Sequence, residues 1–124
     1  MKHTQEEVKA WRLKMKEVAA KVRALPETEQ EELARQYGTI TAEGHRLSRF
    51  NTIFLSFQAG RPLAQIGGYR QWKKAGRQVI KGQHAIGSIF VPIGAKNNET
   101  GELEDNNIRF HSVPVFDITQ TEEL

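Results

Sequence analysis

The spacing of apolar residues changes character once along this chain, and that change limits the folds open to it. Up to residue 59 the apolar positions recur at steps of three and four, the mark of helices with one buried face. From Arg77 onward they come as β-branched and aromatic runs, the mark of strands. Helices come first and strands afterwards. A chain of 124 residues closes one hydrophobic core.

Thr4 and Glu7 have the spacing of a capping box, and Val8, Trp11, Met15, Val18, Val22 and Leu25 continue as the stripe of an amphipathic helix that stops before Pro26. Thr28 with Glu31 predicts a second capping box, opening a shorter helix that carries Leu33 and Tyr37 and ends at Gly38. These two form a helical hairpin whose seam packs on the domain, pairs with a copy of itself, or does both. Residues 39–44 read as a polar connector. Leu47, Phe50, Ile53, Phe54 and Phe57 then stripe a third helix, over about residues 47–59, stopped by Gly60 and Pro62. Gly60, Gly67 and Gly68 mark a loop, and Tyr69 to Lys74 a helical turn or two ending at Gly76. Gln78 to Ile80 read as strand, Lys81-Gly82 as a turn, and Ala85 to Ile93 as a strand covered on both faces. Residues 108–118 return as its hairpin partner across a long polar loop, 94–107, whose acids, Glu99 to Asp105, point away from a polyanion. Pro92 and Pro114 lack a ladder donor, so each marks an edge, a bulge or a strand end. The expected organisation is a helical extension and connector over residues 1–43, followed by a domain over 44–124. In that domain the third helix and the short helical turn pack on a small antiparallel sheet containing the long-looped hairpin.

Charge is segregated along the same chain. Between Gly44 and Asn98 there is no Asp or Glu, although an even spread of the 15 acids would place about six or seven there. The window carries nine bases, from Arg46 to Lys96, so the net charge of +3 understates its local potential. Phe50, Phe54, Phe57, Tyr69, Trp72 and Phe90 lie among the cations, and cations interleaved with flat rings suit a partner made of phosphates and bases. A solvated cationic face is the bland alternative. Asn51 and Gln58 stand two turns apart on one face of the third helix, and either bond to neighbouring backbone or contact a ligand. Tyr69 and Trp72, three apart, share a face and either join the core or meet a base. Lys73 and Lys74 cannot be buried cheaply. His84, near Lys81, is either a phosphate donor or an ordinary loop histidine.

Other chemistries lack their parts. There is no cysteine, and the four histidines show no metal-ligand spacing. The glycines match neither a P-loop nor a dinucleotide fingerprint. The basic middle has no carboxylates for a two-metal site. The expectation is a non-enzyme with no metal and no cofactor. The longest apolar run, Ile86 to Ile93, is too short to span a bilayer and no N-terminal signal pattern is visible, so no membrane role and a cytoplasmic location are expected.

Ser48-Arg49-Phe50-Asn51, Gln58, Tyr69-x-x-Trp72, Gly76-Arg77-x-Val79-x-Lys81-Gly82-x-x-Ala85, Val115-Phe116-Asp117 and Gln120-Thr121-Glu122 occur in an order and spacing that resemble the N-terminal domain of ArdC antirestriction proteins. The resemblance covers roughly residues 44–124 and departs from the family pattern at Asp117, where Asn is frequent. It implies a single-stranded DNA-binding domain of α+β type, found on plasmids, phages and other mobile elements and linked to protecting incoming DNA from restriction. In ArdC proteins this domain precedes a zinc metallopeptidase-like domain with a HExxH helix, a motif with no counterpart in this sequence, so the chain is either a free-standing binder or an N-terminal piece.

The mechanism expected is sequence-independent binding of single-stranded DNA in a groove where the third helix, the 69–76 turn and the hairpin meet. Arg49, Arg70, Lys73, Lys74, Arg77 and Lys81, with His84, are placed on phosphates, and Tyr69, Trp72 and Phe50 on bases, flanked by Asn51 and Gln58. RNA and a homodimer through the N-terminal helices are further candidate partners. The alternative is a protein-interaction module that binds an acidic partner or dimerises.

Overall fold

Thr4 opens the first helix by accepting a hydrogen bond from the Glu7 N–H through its hydroxyl (3.1 Å), and the helix, α1, runs Gln5–Ala24. The structure is a computed structural model that describes residues 4–93 and 109–124. Leu25 leaves helical geometry ahead of Pro26, as a residue before proline must. Helix α2, Glu27–Tyr37, then starts earlier than the Thr28 capping box predicts. Pro26 takes the cap position, Thr28 lies within the first turn, and the Gln30 side chain ties back to the Leu25 carbonyl (2.8 Å). Gly38, in left-handed geometry at φ 55°, ends α2.

Helix α3, Arg49–Ala59, is capped by the Ser48 hydroxyl, which accepts from the Asn51 N–H (3.2 Å). It forms the centre of the molecule. Ile53 and Phe54 meet Met15, Ala19 and Val22 of α1, so the α1 seam faces the domain along this stretch. Phe50, Phe54 and Phe90 add three stacked rings with centroids 4.9–6.1 Å apart. A second cluster, Leu55, Leu63, Ile66 and Val115, lies toward the sheet.

Six strands follow in chain order: β1 (Ile40–Thr41), β2 (Gln65–Gly67), β3 (Arg77–Val79), β4 (Gly87–Ile93), β5 (Arg109–Asp117) and β6 (Thr121–Glu123). The predicted hairpin is β4 with β5, antiparallel from Gly87 opposite Val115 to Ile93 opposite Arg109. The connector and loop predicted around it contain strands too. Within 39–44, β1 pairs parallel with β2, which pairs antiparallel with β5, giving the order β1-β2-β5-β4. Strand β3 pairs with β6 as a separate two-stranded ribbon, not with β4. Coverage of β4 on both faces is incomplete, because Val91 is exposed. The predicted acidic loop and Lys96 lie outside the described residues. Among the described residues no helix is long and apolar enough to cross a membrane.

Between β2 and β3, helix α4 spans Tyr69–Lys74. Its main packing partners are β2 and β3, whereas those of α3 are α1, α2 and β4. The two helices predicted to share a groove therefore belong to different parts of the molecule.

Candidate nucleic-acid interface

Strand β4 is an edge strand, and its outward backbone groups need partners. Asn51 and Gln58 supply them. The Asn51 amide donates to the Phe90 carbonyl (2.9 Å) and accepts from the Phe90 N–H (3.0 Å). Gln58 does the same with Ser88, donating at 2.7 Å and accepting at 2.9 Å. Each amide makes the two bonds that a neighbouring strand would make. Of the two roles open to them, fastening is the one they fill. A Cβ built on Gly87 would lie 2.7 Å from Leu55 Cδ1, which shows how closely α3 approaches this edge.

Other predicted contacts have partners within the protein as well. Phe50 packs in the ring stack, with the Arg23 guanidinium 5.1 Å from its centroid. Arg49 reaches Glu31 (3.4 Å) and Glu27 (3.7 Å) on α2. Arg77 donates through Nε to the Thr121 hydroxyl (2.7 Å) and through a terminal nitrogen to the Thr121 carbonyl (3.2 Å), holding β3 to β6. Trp72 is 1% exposed and its indole N–H donates to the Phe116 carbonyl (3.0 Å). Such a ring presents no face to a base. Three residues on a helix turn the side chain by about 60° relative to its starting face, enough at the rim of a core to bury Trp72 and leave Tyr69 51% exposed.

Asp117 is buried too. It caps the 3₁₀ turn Ile118–Gln120 by accepting from the Thr119 N–H (3.1 Å) and hydroxyl, and it sits 3.6 Å from the Arg61 guanidinium. Its charge is directed inward.

The remaining residues collect around α4 and the turn after β3. Arg70, Lys73 and Lys74 are exposed on α4, and the Lys73 ammonium lies 4.9 Å from the Tyr69 ring centroid. Ile80 to Gln83 form a turn closed by the Gln83 N–H to the Ile80 carbonyl (3.1 Å). Gly82, at φ 90°, supplies the positive φ that the third position of a type II turn requires. Lys81 stands exposed at its tip. Between turn and helix is a groove of about 370 Å³ lined by Tyr69, Gln78, Lys81, Gln83, Phe116 and Glu122, among others. Glu122, the one acid among its described lining residues, accepts from Gln78 Nε2 (3.0 Å). Glu43, beside α4, is met by Gln71 Nε2 (3.4 Å). His84 is exposed, and its backbone carbonyl accepts from Gln120.

A residue that the spacing assigns to a buried seam lies outside it. Trp11 is 42% exposed, next to Arg12 and Lys16. The signal that finds it is length: α1 has 20 residues and α3 has 11, about 30 Å against 16 Å, so α1 overhangs its partner. Among the described residues no three His, Cys, Asp or Glu side chains gather as metal ligands.

Two crystal structures of the antirestriction ArdC protein from the R388 plasmid are similar over 77% of this chain and 40% of theirs. The metal-free form is 19% identical with a TM-score of 0.47, and the Mn(II)-bound form is 18% identical with a TM-score of 0.51. The chain thus spans about two fifths of the length of those proteins. No curated protein sequence matches it. The family model for the N-terminal domain of anti-restriction factor ArdC matches residues 4–116, which takes in the N-terminal helices and the motif-bearing segment up to Phe116, but not Asp117 or Gln120-Thr121-Glu122. With that match running from the cap of α1 into β5, the chain belongs to the family of ArdC N-terminal domains.

Proposed function

We propose that this domain binds single-stranded DNA without sequence preference through the α4 groove, in a role related to antirestriction. The observation that carries this reading is the company Tyr69 keeps. It is an exposed ring with the Lys73 ammonium beside it, on a helix with two further exposed cations, Arg70 and Lys74, and with the Lys81 turn facing it. A base stacked on Tyr69 brings its phosphates toward Lys73 and Lys81, while Arg70 and Lys74 extend the positive surface. Phosphate contacts carry no sequence code and stacking tolerates every base, so any unpaired strand suffices. A duplex hides the base faces that stacking needs. The family match and the R388 protein's description support the antirestriction setting.

The test is anisotropy of labelled oligo-dT. Tyr69→Ala is expected to weaken binding about fivefold or more, the low end of ring–base stacking, and a duplex of equal length to bind less tightly than the single strand. Equal affinity of Tyr69→Ala and the native protein contradicts the reading.

A further inference from the structure

Helix α1 carries a second cationic surface, remote in sequence from the acid-free window. Lys9, Arg12 and Lys16 follow at steps of three and four, so they share one face, and all three are exposed. Among the described residues no carboxylate is paired with any of them. Between this face and the β4–β5 hairpin lies a groove of about 440 Å³, lined by Trp11, Arg12, Lys16, Phe90, His111 and Ser112, with Met15 at its floor. No acid lines it. Two smaller depressions adjoin it along α1, and both contain Lys9 and Arg12 and, among the described residues, no acid. An exposed tryptophan costs solvation that most helices avoid by placing it in the core, and here it stands beside two cations at the mouth of an open groove.

We propose that this α1 groove is a second contact for single-stranded DNA, in which Trp11 stacks on a base and Arg12 and Lys16 hold the adjoining phosphates. The inference takes its partner from the single-strand reading of the α4 groove but rests on separate residues. Strand β5 links the two grooves: Ser112 lines one and Phe116 the other. Four residues of strand separate them by about 13 Å, and their even spacing puts both side chains on one face of the strand. One extended polynucleotide can therefore follow β5 from Trp11 to Tyr69.

Tryptophan fluorescence of the full chain tests this directly, because Trp72 is sealed in the core and Trp11 is open to solvent. Oligo-dT of about twenty nucleotides, long enough to cover both grooves, is expected to quench the native emission, and Trp11→Phe to abolish most of that quenching. In anisotropy, Trp11→Ala should lose about fivefold or more in affinity. Arg12→Ser/Lys16→Ser should flatten the slope of log K against log salt by about 1.4, the share of two phosphates on a single strand. Quenching that survives Trp11→Phe, or native-like binding by Trp11→Ala or the double variant, overturns the proposal. If the α1 variants lose affinity while Tyr69→Ala and Lys73→Ser/Lys81→Ser bind as native, the α1 groove stands and the α4 reading falls. If the native protein binds no oligo-dT, both fall.

Discussion

The surroundings of α3 and of α4 draw on the same stretch of sequence and the same residue types, yet they treat them in opposite ways. Around α3, Arg49, Asn51, Gln58 and Arg61 are tied down: two arginines to carboxylates, two amides to the edge of β4. Around α4, Arg70, Lys73, Lys74 and Lys81 project from the surface. The acids that occupy the α3 set come from outside the acid-free window, Glu27 and Glu31 from α2 and Asp117 from the end of β5. A window without acids in the sequence is therefore only half without them in space. Where a cation lies next to a flanking element it becomes part of the fold, and where it lies on α4 it stays available to a partner.

On that contrast, the amides fastened to β4 and the buried ring of Trp72 carry stability, the exposed arginine pairs add little to it, and the cations of α4 carry binding. The largest effect belongs to a residue that looks like a binding aromatic and is not one. Trp72→Ala removes a ring that is 1% exposed and leaves the Phe116 carbonyl without its donor, so urea unfolding should show a loss of about 3–5 kcal/mol. A loss under about 1 kcal/mol, with DNA affinity reduced, would return Trp72 to the binding surface. Next comes Asn51→Ala. It strips the Phe90 N–H and carbonyl of both partners and should cost about 2–4 kcal/mol in the same measurement, with oligo-dT affinity retained under folding conditions. Gly87→Ala sharpens the picture of α3 against the β4 edge. Its Cβ meets Leu55 Cδ1 at 2.7 Å and Gln58 Oε1 at 3.1 Å, an overpacking worth about 1–3 kcal/mol in thermal or chemical unfolding.

The parts of this fold that local chemistry decides were legible in the sequence. Thr4, Ser48, Gly38 and Gly60 bound their helices through side-chain caps or positive φ within a few residues of themselves. The β4–β5 hairpin announces itself through β-branched runs long enough to need a partner. Thr28 misleads because Pro26 and Gln30 already complete the turn into α2. Strands β1, β2 and β6, of two or three residues each, exist only through partners distant in sequence, and no local pattern marks them. The candidate site divides along the same line. Lys73 and Lys81 could be picked out as exposed-type residues around a turn, whereas Tyr69 and Trp72 share a face in the sequence and only packing separates the exposed ring from the buried one. The choice for Asn51 and Gln58 between backbone and ligand depends on where β4 ends up, which their own spacing does not contain. Trp11 was hidden by the regular seam it belongs to, and the α3 length that uncovers it is a property of another element.

Two charge-matched double variants compare the regions directly. Lys73→Ser/Lys81→Ser removes two cations from the α4 groove, and Arg35→Ser/Arg49→Ser removes two that are already paired with glutamates on α2. Exposed pairs of that kind are worth less than about 1 kcal/mol each, so both proteins should fold. The salt dependence of oligo-dT binding then separates contact from bulk charge. The slope of log K against log salt should flatten by about 1.4 for Lys73→Ser/Lys81→Ser and stay near the native value for Arg35→Ser/Arg49→Ser. Equal flattening in both, or none in either, would contradict the assignment of the α4 groove as the binding surface.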